Sequence, residues 1–164
     1  MEENLTMPAA DIPTIYKFED NIETAVVLIL AALSPAITAK KQRSDDTRAT
    51  PFSSVQFQTG EANPDHEYTC PDGKVRDVNY SGTLAISIVT DRNRNASSHV
   101  TLVSQVRAAF SHRDLFTSSN LPYYKLWNIR PTGTSFGITE DDKQDITTLT
   151  WDVGFEILTT AWPV

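Results

Sequence analysis

The sequence predicts a two-layer α+β domain: a four-stranded antiparallel sheet carrying two helices on one face, in the order αββαββ, with a long projecting β-hairpin. Three observations predict it. Two segments repeat apolar residues at helical spacing, four alternate apolar and polar residues, and a Pro-Asp-Gly turn lies midway along the connection between the first two strands. With 164 residues, 40% hydrophobic and 21% charged, the chain is long enough for one domain with a proper core. Residues 1–17 hold two prolines and no sustained period and are expected to be an arm; 18–160 form the domain, and 161–164 (AWPV) a short tail.

The first helix is expected to begin near Glu19-Asp20-Asn21. Ile22, Val26, Ile29, Leu30 and Leu33 share one side, and acidic residues crowd its first turn, where the helix dipole favours them. Val27 and Leu28 are also apolar, so burial on more than one side is expected, and Pro35 should end the helix. Residues 42–50 are a polar connection. Val55 and Phe57 then alternate with glutamines in a first strand, and Leu84, Ile86 and Ile88 mark a second. Between them Pro71-Asp72-Gly73 signals a turn, so these strands form the long hairpin, its polar tip at 66–78. Counting back from a Cys70–Lys74 pair sets Phe57 opposite Ser87. A one-residue shift, with a break near Asn63-Pro64, sets Phe57 opposite Ile86 and Val55 opposite Ile88, and keeps apolar residues on one face. A second helix starts near Ser97 or Ser98, with Val100, Val103, Val106 and Phe110 on its apolar side. Tyr123–Arg130 is the third strand, Gly133–Asp145 a polar stretch, and Thr147–Leu158 (TTLTWDVGFEIL) the fourth strand. In that last strand Leu149, Trp151, Val153, Phe155 and Ile157 face the helices, and Thr150, Asp152 and Glu156 face away.

Bulk properties exclude several classes. A net charge of −7 opposes generic nucleic-acid or anionic-membrane binding, which rests on Lys and Arg neutralising phosphates. The richest apolar stretch, Ala25–Leu33, is too short to span a bilayer, and the opening MEENLTMPAADIPTIY lacks the basic-then-apolar pattern of a signal peptide. The single cysteine, Cys70, makes no internal disulfide. Asn79-Tyr-Ser and Asn95-Ala-Ser match the glycosylation pattern without a secretory context.

No catalytic constellation stands out. His66, Glu67 and Cys70 are too few for a closed zinc site. His99 and His112 flank the second helix without a nearby nucleophile. Glu140, Asp141, Asp142 and Asp145 lack the spacing and central glycine of a calcium loop. Asp91–Asn95 is a compact basic turn beside a helix start, and Tyr123, Tyr124 and Trp127 offer aromatic rings on a strand. We therefore expect no enzyme, no cofactor and no metal.

The succession of NIETAVVLILAAL, YSGTLAISIVTDR, HVTLVSQVRAAF, YYKLWNIRPTG and LTWDVGFEI, spanning about residues 18–160, resembles the tail terminator or tail-completion proteins of long-tailed bacteriophages and the related head–tail joining and minor tail components. The resemblance implies a structural virion protein located in the tail or neck and assembled in the host cytoplasm. Its subunits would form a homo-oligomeric ring, a hexamer, capping the tail tube. The implied partners are the tail-tube protein on one side and the head connector on the other, with genomic DNA passing through the lumen. Exposure and charge nominate His66, Glu67, Lys74, Arg76 and Asp77 on the hairpin tip, and Arg92 and Arg94 in the basic turn, as subunit or partner contacts. The alternatives are a tail-tube or baseplate subunit, a small ligand-binding or enzymatic α+β domain, and a nucleic-acid accessory protein using Tyr123, Tyr124 and Trp127.

Overall fold

A computed structural model describes residues 12–42, 50–60, 67–69, 75–77, 79–92 and 96–158. A single helical turn, α1 (Ile12–Ile15), precedes α2 (Phe18–Ala31), β1 (Ala39–Lys41) and β2 (Phe52–Thr59). A short ribbon, β3 (Glu67–Thr69) with β4 (Val75–Asp77), leads to β5 (Asn79–Asp91). Then come α3 (Ala96–Ala109), a 3-10 turn (Arg113–Leu115), β6 (Tyr124–Ile138) and β7 (Gln144–Ile157). The main sheet has five strands in the order β1-β2-β5-β7-β6, and β3-β4 is a separate two-stranded sheet. Among the described residues, no helix is long and apolar enough to cross a membrane.

The two-layer α+β architecture agrees with the periodicities, and three details correct them. First, the sheet has a fifth strand. β1, in a stretch where the periodicities show no strand, pairs parallel with β2, Ala39 opposite Ser53. A polar three-residue strand is too short to show a period. Second, β6 runs eight residues past Arg130, so much of the polar stretch at Gly133–Asp145 is a hairpin whose turn is held by Thr139 N–H donating to Gln144 O at 3.1 Å. An edge strand exposed on both faces has no alternation to read. Third, α1 occupies part of the expected arm.

The register within the first hairpin is also corrected. Phe57 faces Leu84 and Val55 faces Ile86, while Glu67 faces Asp77 in the ribbon. Seven residues (60–66) separate β2 from β3, against four (78–81) between β4 and Gly82, the partner of Thr59. The offset is three residues, not one. Both values are odd, so both keep the apolar residues on one face. Asn63-Pro64, the expected site of the break, lies outside the described residues.

The core lies between the sheet and the two helices. Leu149, Trp151, Val153, Phe155 and Ile157 are all at most 3% exposed, a gross hydrophobic transfer of about 10 kcal/mol. Phe155 is the hub of an aromatic cluster with Phe18, Phe57, Tyr80 and Tyr124, while Phe110 at the end of α3 meets Trp151 edge-on at 5.7 Å. Helix α2 buries Phe18, Ile22, Ala25, Val26, Ile29 and Leu30, one side only. Leu28 is half exposed, contrary to the expectation of wider burial. Val100 is likewise exposed, leaving Val103, Val106 and Phe110 to anchor α3. Helix α2 stops at Ala31, ahead of Pro35, and the chain folds back with Ile37 N–H bonded to Leu30 O at 3.0 Å.

One carboxylate is part of this core. Glu23 is 1% exposed, and its Oε1 accepts the Phe57 backbone N–H at 2.9 Å. Glu23→Ala should cost about 2–3 kcal/mol in urea unfolding, because it leaves that buried donor unpaired. Glu23→Gln, which keeps an acceptor, should cost clearly less. Equal losses for the two variants would show that the bond to Phe57 does not matter.

Candidate assembly surface

The two edges of the main sheet are treated differently. On the β2 side, backbone donors and acceptors alternate inward to β5 and outward. The outward groups are accounted for one after another: Ser53 N–H donates to Thr38 O at 2.8 Å, Val55 O accepts Gln42 N–H at 2.8 Å, and Phe57 N–H reaches Glu23. The Thr59 hydroxyl then donates to Glu19 Oε1 at 2.7 Å. So β1 pairs with the first half of the edge; beyond it Glu23 on α2 accepts the outward Phe57 N–H, and Glu19, one helical turn earlier, binds the Thr59 side chain.

Among the described residues, no strand pairs with the outer side of β6. Leu158 N–H donates to Tyr123 O at one end of the β6–β7 ladder, and Thr139 N–H donates to Gln144 O at the other. Stepping along the register from these anchors, Gly133, Ser135 and Gly137 point their backbone groups to β7, and Thr134, Phe136 and Ile138 point theirs away from the sheet. Two bulges, between Leu126 and Asn128 and between Pro131 and Gly133, interrupt the ladder. The half of β6 up to Thr132 carries the features that discourage strand addition: both bulges, Pro131, Lys125 and Arg130. Thr134–Ile138 has none of them. Phe136 is 63% exposed and Ile138 40%, both on the helix side of the sheet, and the Phe136 ring meets His99 of α3 edge-on at 6.3 Å.

The outer sheet face is polar and built from small residues. The Ser87 and Thr148 hydroxyls share a bond at 2.8 Å, Thr132 donates to Thr150 at 3.1 Å, and Arg130 pairs with Asp152 at 3.1 Å. The first bulge lays the indole of Trp127 over Gly154, where a Cβ would come within 2.5 Å of the ring. The glycine is thus required by close approach, and Trp127, 47% exposed, marks this face.

Of the contact residues nominated from sequence, Glu67, Arg76 and Asp77 fall on the β3-β4 ribbon, with Glu67 opposite Asp77 and Tyr68 opposite Arg76. His66, Lys74 and Arg94, like Cys70, lie outside the described residues. Arg92 does not stand alone: its guanidinium lies 3.5 Å from Asp142 and 3.9 Å from Asp145, and its N–H donates to Lys143 O at 2.9 Å. It ties the end of β5 to the β6–β7 turn. The acidic cluster at that turn is a hairpin cap. The Asp141 carboxylate accepts from the Thr139 hydroxyl at 2.6 Å and from Lys143 N–H at 3.2 Å, which holds its pKa below the usual carboxylate value. Asp142 takes the left-handed conformation (φ 56°) that the turn needs. No group of three or more metal-ligating side chains that could hold an ion occurs among the described residues.

The remaining candidates are structural. Buried His99 bridges Thr90 and Thr147 through its two ring nitrogens, at 2.8 and 2.7 Å. Tyr124 cannot be a stacking platform. It is buried, its hydroxyl donates to Ile15 O and accepts from Asn21 Nδ2 at 2.8 Å, and burial raises its pKa from 10.0 to about 12. Sequence reasoning missed the β6 edge altogether; the glycines and threonines of Thr132–Ile138 flanking Phe136 were its only trace. An open groove of about 390 Å³ lies beside Phe116, Leu121 and Leu158.

No protein-family profile matches the sequence, and no curated protein does. Solved structures share the fold. A chain from the virion of a native gene transfer agent particle superposes with a TM-score of 0.58 at 13% identity, covering 82% of this chain and 94% of that one. A second solved chain gives a TM-score of 0.53 at 14% identity, covering 88% of this chain and 94% of the other.

The Tyr124 hydroxyl gives a pH signature. Its pKa is raised on folding, so its contribution to stability is complete below about pH 10 and is lost as pH rises towards 12. Tyr124→Phe should cost about 1–2 kcal/mol at neutral pH, since Ile15 O loses its donor, and should flatten the stability–pH curve between those limits. An unchanged alkaline slope in urea unfolding would exclude Tyr124 as its source.

Proposed function

We propose that this chain is a structural virion protein that forms a ring capping a phage tail tube and joining it to the head or neck, and that it is not an enzyme. The observation that carries the reading is the shared fold, over most of both chains, with a component of a gene transfer agent virion. The order of helices and strands that resembles tail terminator proteins supports it independently.

The physical properties are those such a ring needs. A net charge of −7 keeps the lumen from gripping the phosphates of passing DNA. The β1 and β6 edges of the sheet are different surfaces, and a contact that joins one to the other is heterologous, the geometry that generates rings. Glu67, Arg76 and Asp77 on the β3-β4 ribbon, together with His66, Lys74, Arg92 and Arg94, remain our proposed contacts to neighbouring subunits. The tail-tube protein and a head-connector protein are the proposed partners on the two ring faces.

Absolute mass by light scattering over a range of concentrations tests this. We expect a discrete assembly whose mass stops growing, a hexamer on the family pattern. Growth without limit would make the chain a tube subunit. A monomer at every concentration would count against an autonomous ring.

A further inference from the structure

We infer that two copies of this chain join through the outer edge of β6, Thr134–Ile138 against Thr134–Ile138, as an antiparallel pair centred on Phe136 that merges their two sheets into one. The contact goes beyond the ring reading and is separate from it. It is self-complementary and closes after two copies, whereas a ring joins two different surfaces.

Three observations carry it. The first is the edge itself. The backbone groups of Thr134, Phe136 and Ile138 point away from β7, and residues 131–138 are exposed on both faces. Thr134–Ile138 holds no charge, no proline and no bulge, the features that keep a strand edge from pairing.

The second is the register. In an antiparallel pair, residues whose backbone groups point at the partner face one another. Setting Phe136 against Phe136 of the second copy uses all three outward residues, with Thr134 opposite Ile138 on either side of the axis. Spaced two apart, their side chains share one face, so the Phe136 rings meet across the axis with an Ile138 beside each. This covers two apolar side chains that are 63% and 40% exposed in the single chain.

The third is charge. Continuing the count past the strand brings the acidic turn Glu140–Asp142 of each copy alongside Thr132–Arg130 of the other. Both charges stay exposed where they pair within their own chain: the Arg130 side chain is 71% exposed beside Asp152, and that of Asp142 81% beside Arg92. The crossed charges offset the repulsion between two chains of net charge −7. Other registers lose this. Sliding towards the turns sets the two acidic turns against each other, and sliding the opposite way brings Pro131, which has no N–H, and its bulge into the ladder.

Sedimentation velocity of the full chain, diluted below the concentration at which any larger assembly forms, should show a monomer–dimer equilibrium. Thr134→Pro removes an outward N–H without touching the ladder to β7. It should weaken the dimer at least tenfold while leaving circular dichroism and urea unfolding unchanged. Disulfide trapping in a Cys70→Ser background reads the register directly, whether or not that variant folds and whether or not larger assemblies are present. Phe136→Cys should oxidise to a covalent dimer, because facing residues of such a pair have Cα atoms about 5.5 Å apart, within disulfide range. Thr134→Cys should not, because its two copies lie four positions apart, about 13 Å along the strand. A chain that stays monomeric until a larger assembly appears, a dimer indifferent to Thr134→Pro, or no cross-link at position 136 overturns the inference and leaves the ring reading standing. If the dimer cross-linked through position 136 is the largest species at every concentration, the inference stands and the ring reading fails.

Discussion

The bond from the Phe57 amide to the Glu23 carboxylate fixes the asymmetry on which the rest of the molecule depends. A buried carboxylate is costly to desolvate, and it is tolerated here because it replaces the strand that β2 lacks beyond β1. In doing so it sets α2 against the half of β2 beyond β1, and α2 in turn carries the Phe18 ring to 5.3 Å from Phe155. Glu19, one helical turn earlier, accepts the Thr59 hydroxyl. Helix, core and this half of β2 are thus one arrangement.

The opposite edge of the sheet is shaped by the two β6 bulges. Each inserts one residue opposite β7, so the pairing advances twice, yet β7 keeps an unbroken alternation of Leu149, Trp151, Val153, Phe155 and Ile157 into the core. The irregularity is confined to the outer strand, where an extra residue costs little packing. One bulge places Trp127 on Gly154; the other, next to Pro131, separates a protected half of the strand from an unprotected one.

Legibility from sequence followed burial. Strands β2, β5 and β7, each with one face in the core, announce themselves by alternation, and α2 and α3 by their apolar sides. Where both faces are wet the signal vanishes. Lys40 and Lys41 form a strand only because β2 offers a partner, and Gly133–Ile138 is held in the sheet by β7, not by its own preferences. The register of the first hairpin was readable in parity but not in size, because parity alone decides which face is buried. The candidate surface was the least legible part: the tie from Arg92 to Asp142 and Asp145 joins distant parts of the chain, and an outward strand edge is a property of backbone groups, which every sequence carries.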